Sequence, residues 1–469
     1  MFHLDQKLKE PLYQQLYSMF VKQITLGQFS PGEQLPSTRS LAKDLCISVN
    51  TVKTAYFQLA LEGYVKSAPG SGYYVMDIPS ERLPFTAAEP VPAARIPRDS
   101  PRFYQYDLQY GNLPQGTFPS EVWLRYARDI LYSQESEQLN QYGDPQGDIE
   151  LRGEIAHYLR KTRGVNCLPE QVVMTCGAQY SVGIIAHLLE NGSIAFEDPG
   201  YDVTRREFLN HRLVVHPVPV HEDGIDIETL KESGAELVYI TPSHQFPLGS
   251  VLPIAKRIQI LSWAEQQDAY ILEDDYDCEL RYHLQPVPAL QGVSDGSRVI
   301  YMGTFSKLLS PSLRMSYLVL PPALLERYRT VFRDTFCQCS WLQQRVLAHY
   351  MEDGHWDRQI RRMVTGNCKK HDLLLAGLKQ ILPPSVQIYG MNAGTHFVLE
   401  IPKPGNANLF IEKAAACGVR VYPALEYWMD KKAVPPSMLL LGYTGLTAED
   451  IPNVLLLLAQ AWNTPQPCP

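Results

Sequence analysis

The chain has 469 residues, 45% hydrophobic and 20% charged, with a formal net charge of −8 at neutral pH. That length exceeds one ordinary core and predicts two or three globular domains, and no run of about 18 apolar residues is present to span a bilayer as a helix. Residues Met1–Lys7 lack the charged-then-apolar pattern of an export signal. Nine cysteines are scattered without framework spacing. Cys337 and Cys339 are the one close pair, with no second pair or nearby histidine to complete a metal site. A reducing, cytoplasmic setting with no metal is the expectation.

The charge is unevenly spread. Residues 1–76 carry seven cations against five anions, a net +2 that leaves −10 on the remainder. That sign permits a small DNA-binding head. Leu12, Leu16, Met19, Phe20 and Ile24 recur at helical spacing, and Gly27 stops the helix. Ser37 is placed to cap a second helix with Leu41 and Leu45 on its inner face. After a break at Cys46–Val49, a third helix is predicted over Asn50–Glu62. Its stripe is Val52, Ala55, Tyr56 and Leu59, with Asn50, Thr51, Lys53 and Thr54 near the exposed face at its start. Helix, short turn, helix is the arrangement that sets a helix N-terminus into a major groove. Tyr64–Val75 reads as two short strands around Pro69-Gly70, a wing whose Lys66 and glycines can approach phosphate.

Residues 77–103 hold Pro79, Pro84, Pro90, Pro92, Pro97 and Pro101 and no sustained periodicity, which predicts a semi-extended linker. From 104 to 469, apolar runs alternate with helical stretches. Strands are predicted at Val172–Thr175, Ser193–Phe196, Leu213–His216, Leu237–Ile240, Ala269–Leu272, Val299–Tyr301 and Met315–Leu320. Short continuous apolar strands of this kind belong to an α/β domain with a mostly parallel central sheet, where ligands collect at strand C-terminal ends.

Chemistry-bearing residues fall at those ends. Lys307 follows the run ending at Tyr301. A buried lysine sheds its proton, and the neutral amine can form an imine with an aldehyde such as pyridoxal 5′-phosphate. Arg314 offers forked donors suited to a phosphate. Gly177-Ala178-Gln179 opens a helix whose bare N–H groups could cradle the same anion. Asp198-Pro199-Gly200-Tyr201 presents an aromatic ring. Glu273-Asp274-Asp275-Tyr276-Asp277 places four carboxylates in five residues, and one buried there would want a cation such as a protonated pyridine nitrogen.

The head resembles the winged helix-turn-helix of the GntR family through Leu35-Pro36-Ser37-Thr38-Arg39, Ser48, Asn50-Thr51-Val52-Lys53, Ala55-Tyr56, Leu59, Gly63 and Gly70-x-Gly72-Tyr73. The resemblance implies that Arg39, Ser48, Asn50, Thr51, Lys53 and Gly72 lie at a double-stranded DNA operator. Val49 stands where the family often has arginine.

The whole chain resembles the MocR subfamily, a GntR head joined to a domain like the fold type I aminotransferases. The motifs are Gln141-Tyr142-Gly143-Asp144 with Gly147 and Leu151-Arg152, Asp198–Tyr201, Thr241-Pro242-Ser243-His244-Gln245-Phe246-Pro247, Glu273–Asp277 and Gly303-Thr304-Phe305-Ser306-Lys307. This resemblance implies pyridoxal phosphate held through Lys307, with Asp274 at the pyridine nitrogen, though the sequence does not separate it from Asp275. It implies Tyr276 at the 3′ oxygen, Tyr201 stacked on the ring, His244 in the segment beneath it, and Ala178, Gln179, Thr304 and Arg314 at the phosphate. Tyr142 matches a tyrosine that reaches the phosphate from the other subunit, which implies a homodimer.

A regulator is expected over a working aminotransferase. Enzymes of this fold usually place a carboxylate-binding arginine just before the last apolar strand. Here Ala433–Leu441 contains none, Val203 stands where a GABA-sensing member uses one, and Phe246 replaces an asparagine usual near the 3′ oxygen. Arg205, Arg206 and Arg420 remain as substitutes, and the effector is expected to be the cofactor itself, an amine or an amino acid.

Overall fold

The computed structural model forms two units, Met1–Pro101 and Arg102–Pro469. It describes residues 4–5, 8–78, 104–189, 192–283, 287–402, 406–429 and 438–463. The linker expected over 77–103 lies, from 79 on, outside the described residues.

In the first unit, helices α1 (Leu12–Thr25), α2 (Thr38–Asp44) and α3 (Val49–Leu61) precede an antiparallel hairpin of β1 (Val65–Ala68) and β2 (Gly72–Val75). Ser37 caps α2, its hydroxyl accepting from the Ser40 N–H at 3.1 Å. Ser48 does the same for α3, accepting from the Thr51 N–H at 3.0 Å. That cap starts α3 at Val49, one residue earlier than the apolar stripe alone suggests. Leu16, Phe20, Leu41, Val52, Tyr56 and Leu59 bury together, with Val65 and Val75 of the wing closing the same core. The Tyr56 hydroxyl donates to the Pro36 carbonyl at 3.0 Å, which satisfies the one polar atom that this ring carries inward.

The second unit opens with β3 (Tyr106–Asp107). Its main sheet comprises β4 (Val172–Thr175), β5 (Ser193–Asp198), β6 (Val214–His221), β7 (Gly224–Ile225), β8 (Leu237–Ile240), β9 (Tyr270–Asp274), β10 (Val299–Thr304) and β11 (Ser316–Val319), in the order β4-β11-β10-β9-β8-β5-β6-β7. Pairs β10/β9, β9/β8, β8/β5 and β5/β6 are parallel, whereas β11 runs antiparallel to both neighbours. β4 and β8 match their apolar runs residue for residue, and every residue in them is buried. β5, β9 and β10 run further than their apolar stretches, through Asp198, Asp274 and Thr304. Glu197, Glu273 and Asp274 at these polar ends are buried as well, their carboxylates satisfied by hydrogen bonds from Thr241, Leu290 and Tyr239, so the backbone pairing continues beyond the apolar residues. β6 extends past Pro217 and Pro219 to His221, on the side of the sheet that ends in the two-residue β7. Alternation sends Ile194 and Phe196 into one packed layer and Ala195 into the opposite one.

A smaller antiparallel sheet completes the unit: β12 (Gln387–Tyr389), β13 (His396–Glu400), β15 (Tyr422–Pro423) and β16 (Met438–Gly442), ordered β12-β13-β16-β15, while β14 (Val419–Arg420) pairs with β3. A 27-residue helix, His355–Ile381, joins the two parts. Trp356 and Met363 at its start pack in the core that contains Phe305, and Leu374 and Leu378 near its end pack with Phe397 and Leu441.

Candidate functional site

The C-terminal ends of β8, β9 and β10 meet the start of the helix Ala178–Leu189 at a cavity of about 290 Å³. Ala178, Gln179, Tyr201, Asp274, Tyr276, Thr304, Lys307 and Arg314 all line it. Lys307 follows the end of β10. Its segment is gripped from behind, Phe305 lying edge-on to Trp356 at 5.2 Å and the Leu308 carbonyl accepting from Gln359 at 2.7 Å. The Lys307 Nζ sits 3.8 Å from the centre of the Tyr110 ring. Burial pushes its ammonium down to about 8, against the opposing pull of Asp277 and Asp274. A neutral amine is therefore reached near physiological pH.

The acidic segment is divided by function. Asp274 faces the cavity and accepts from the Tyr239 hydroxyl at 2.6 Å. Burial raises its carboxyl to about 7 despite that bond. Asp275, one residue on, lies behind the cavity wall and accepts from Arg163 Nε at 2.8 Å and the Tyr301 hydroxyl at 2.6 Å. Burial works against its charge, but Arg163 and the Tyr301 hydroxyl prevail and hold it below the usual carboxylate range. Glu273 accepts from the Leu290 and Gln291 N–H groups at 2.7 and 2.9 Å. Asp277 pairs with His244 Nδ1 at 3.0 Å. Three of the four carboxylates are thus engaged in holding structure, and Asp274 alone of them lines the cavity.

His244 is buried outside the cavity lining, and its carbonyl accepts from the Tyr276 hydroxyl at 3.0 Å. Tyr142 is also absent from the lining; it is 82% exposed and stacks on Phe336 at 4.2 Å.

At the other end, the helix from Ala178 presents first-turn N–H groups that lack intrahelical partners. Arg314, in the left-handed region at φ 51°, faces them. Gly177 has φ +106°, and a Cβ there would overlap the Arg314 guanidinium. Gly177→Ala is therefore expected to displace Arg314 and weaken binding of a phosphorylated ligand by about tenfold. Comparing pyridoxal phosphate with pyridoxal by titration checks this, because only the phosphorylated form should suffer.

Tyr110, Gly111 and Asn112 line the cavity without having been anticipated. A Cβ on Gly111, at φ +84°, would meet the Lys307 Nζ at 2.5 Å. This segment follows only the two-residue β3, so no apolar run pointed to it. The cluster of Gly111, Pro114 and Gly116 was its one signal, as a turn closing against something.

None of the three substitute arginines lines the cavity. Arg205 donates to the Tyr427 and Glu426 carbonyls at 3.1 and 2.8 Å, Arg206 pairs with Asp202 at 2.6 Å, and Arg420 pairs with Asp107 at 3.5 Å. Val203 and Phe246 do line it. Residues 430–437, which hold most of the position before β16, lie outside the described residues.

In the head, Arg39, Ser48, Asn50 and Lys53 are exposed, and Thr51 and Gly72 are half-buried. Thr51 and Ser48 also hydrogen-bond through their side chains at 2.9 Å. Gly72 has φ +116°, and a Cβ there would meet Gln34 Nε2 at 2.9 Å, so the wing strand starts at a position suited to glycine alone.

Residues 105–454 match the family described as aminotransferase class I and II, and residues 12–75 match the bacterial regulatory proteins of the gntR family. The chain belongs to the MocR-type regulators of the GntR family, transcriptional regulators that join these two domains. It is 40% identical to the uncharacterized HTH-type transcriptional regulator YdeL of Bacillus subtilis over 98% of both chains. It is 34% identical to the probable rhizopine catabolism regulatory protein MocR of Rhizobium meliloti, covering 95% of this chain and 92% of that one. Among solved structures, the multiple substrate aminotransferase from Thermococcus profundus superimposes with a TM-score of 0.69 at 24% identity, over 78% of this chain and 92% of its own, a likeness of fold. The aminotransferase class I and II fold is that of pyridoxal phosphate-dependent proteins.

Proposed function

We propose that the second unit binds pyridoxal phosphate as a sensor and that its ligand state alters how the head engages double-stranded DNA. The observation that carries this reading is the convergence of Lys307, Asp274 and Arg314 on one cavity from which Arg205, Arg206 and Arg420 are absent. The residues fit the cofactor: Gly177 leaves space for the Arg314 guanidinium, and Gly111 leaves space for the Lys307 amine.

When bound, pyridoxal phosphate supplies an aldehyde that condenses with amines and a ring that withdraws electrons. Lys307 supplies the amine, and its lowered proton affinity makes it a nucleophile. Asp274 would pair with the ring nitrogen, Tyr276 would turn its hydroxyl from the His244 carbonyl to donate to the 3′ oxygen, Tyr201 would stack on the ring, and His244 would pack behind Tyr276. Arg314, Thr304 and the N–H groups of Ala178 and Gln179 would hold the phosphate. An incoming amino acid finds Val203 in place of a carboxylate-binding arginine, and Phe246 in place of an asparagine near the 3′ oxygen, so turnover is expected to be slight.

The head would present Arg39, Ser48, Asn50, Thr51, Lys53 and Gly72 to the operator, with the first turn of α3 at the base edges. The active form would be a homodimer in which Tyr142 reaches the partner's phosphate site. Exposed Leu124, Leu131, Tyr132 and Leu139, on the segment leading to Tyr142, support this.

The test uses the full-length protein and DNA fragments that it enriches from sheared genomic DNA. Added pyridoxal phosphate should change fragment affinity several-fold, while a panel of amino acids should give no more than a single conversion of the bound cofactor. Repeated turnover of any amino acid would overturn the sensor reading in favour of an enzyme. Cofactor capture should also accelerate about tenfold per pH unit up to about 8 and then level, because only the neutral amine reacts. Stopped-flow absorbance between pH 6 and 9 measures it.

A further inference from the structure

Cys368 and Asp372 lie four residues apart on the long helix His355–Ile381, a spacing that puts them on one face. His283, 89 positions before Asp372, brings its Nε2 to 3.0 Å from Asp372 Oδ1. The Cys368 Sγ lies 3.7 Å from Asp372 Oδ2. One ligand-capable atom from each of the three residues lies within 4.8 Å of the other two, and no other such group of three occurs among the described residues.

We propose that His283, Cys368 and Asp372 form a binding site for a divalent transition ion of the zinc class. Zinc bonds of about 2.0 Å to nitrogen and oxygen and about 2.3 Å to sulfur place tetrahedral ligand atoms roughly 3.2–3.6 Å apart. His283 Nε2 lies 3.0 Å from Asp372 Oδ1 and Cys368 Sγ lies 3.7 Å from Asp372 Oδ2, so small side-chain adjustments about one carboxylate oxygen bring the three ligand atoms to those separations. A thiolate with an imidazole and one carboxylate selects zinc-like ions over magnesium or calcium, which take oxygen ligands. The fourth position faces solvent, since the His283 and Asp372 side chains are about half exposed, and it takes water.

His371 stands behind the carboxylate. Its Nδ1 lies 2.8 Å from Asp372 Oδ1, and its ring is buried against Tyr282 and Phe397, with centroids at 5.0 and 5.1 Å. A histidine fixed in this way orients a ligating carboxylate. An ordinary ion pair between His283 and Asp372 would need neither this support nor the thiol. Binding releases the Cys368 thiol proton to solvent.

The site joins the segment after Asp277 to the long helix. Beside His283, the Tyr282 hydroxyl donates to the Gly394 carbonyl at 2.5 Å, and Arg281 forms an antiparallel bridge with Ala393. An ion would pin this junction from its solvent side, on the same stretch of chain that begins at Asp274 and Tyr276 in the cavity. The histidine and the Cys-x-x-x-Asp pair are remote in sequence, so spacing gave no metal signal.

Cobalt(II) chloride titrated into the cofactor-loaded, full-length protein tests the site. The expected result is the visible absorption of a tetrahedral cobalt centre with a sulfur-to-cobalt band, saturating at one equivalent and displaced by zinc. Cys368→Ser and His283→Ala should each abolish these bands. The cofactor's own absorption should be unchanged in both variants, which establishes that they are folded. No tetrahedral bands in the wild-type protein, or bands of undiminished intensity in either variant, would overturn the proposal.

Discussion

Lys307→Ala is expected to remove the imine band of bound pyridoxal phosphate and to leave a protein that binds the cofactor only through non-covalent contacts, with the absorption of the free aldehyde. The alanine leaves Asp274, Tyr276 and Arg314 in place, so residual binding should persist and be saturable. Removing a buried amine also relieves the cost of its desolvation, so the variant should be at least as resistant to urea as the parent. Three measurements separate the cases: absorption, equilibrium dialysis of the cofactor and urea unfolding. A retained imine band would mean that another amine holds the aldehyde. Lys370 is the one to examine, because it is buried and burial lowers its ammonium to about 8 as well, though its Nζ donates to the Thr444 carbonyl at 2.7 Å.

Arg163→Met should cost about 3–5 kcal/mol of stability in the second unit, since it strands a buried carboxylate. Arg163 and Asp275 are 3% and 0% exposed at their side chains. The guanidinium holds Asp275 and also donates to the Ser243 hydroxyl at 2.7 Å, so one cation ties the segment after β9 to the segment after β8 from behind the cavity. Adding Asp275→Asn to Arg163→Met should recover part of the loss, because the stranded charge is then gone. Urea unfolding followed by circular dichroism reads both. Additive losses would mean that the pair is not the interaction that matters.

The fold was legible to the residue at β4 and β8, whereas the equally buried β11 is one residue shorter at each end than its apolar run, and β13 lies outside the strands predicted from apolar runs. Strand ends were less legible because Glu197-Asp198 and Glu273-Asp274 are polar while still paired in the sheet. The site was partly legible for the same reason, since polar residues that end apolar runs are those that a cavity at the strand ends collects. Asp274 and Asp275 were inseparable by sequence because the partner that distinguishes them, Arg163, ends a helix 112 positions away. Tyr110 was missed because its neighbours carry no periodic pattern, and only tertiary folding brings its ring beneath Lys307.

The helix His355–Ile381 has a mechanical consequence. Twenty-seven residues make a rod of about 40 Å, and both of its ends are embedded in packed cores. A tilt of about 5° at one end displaces the other by roughly 3.5 Å, more than close-packed side chains can absorb without repacking. The Trp356 end cannot make that displacement without dragging Phe305 and, through Gln359, the Leu308 carbonyl. Lys307 sits between these two grips, so the segment that carries the amine and the smaller sheet are packed on opposite ends of one rod.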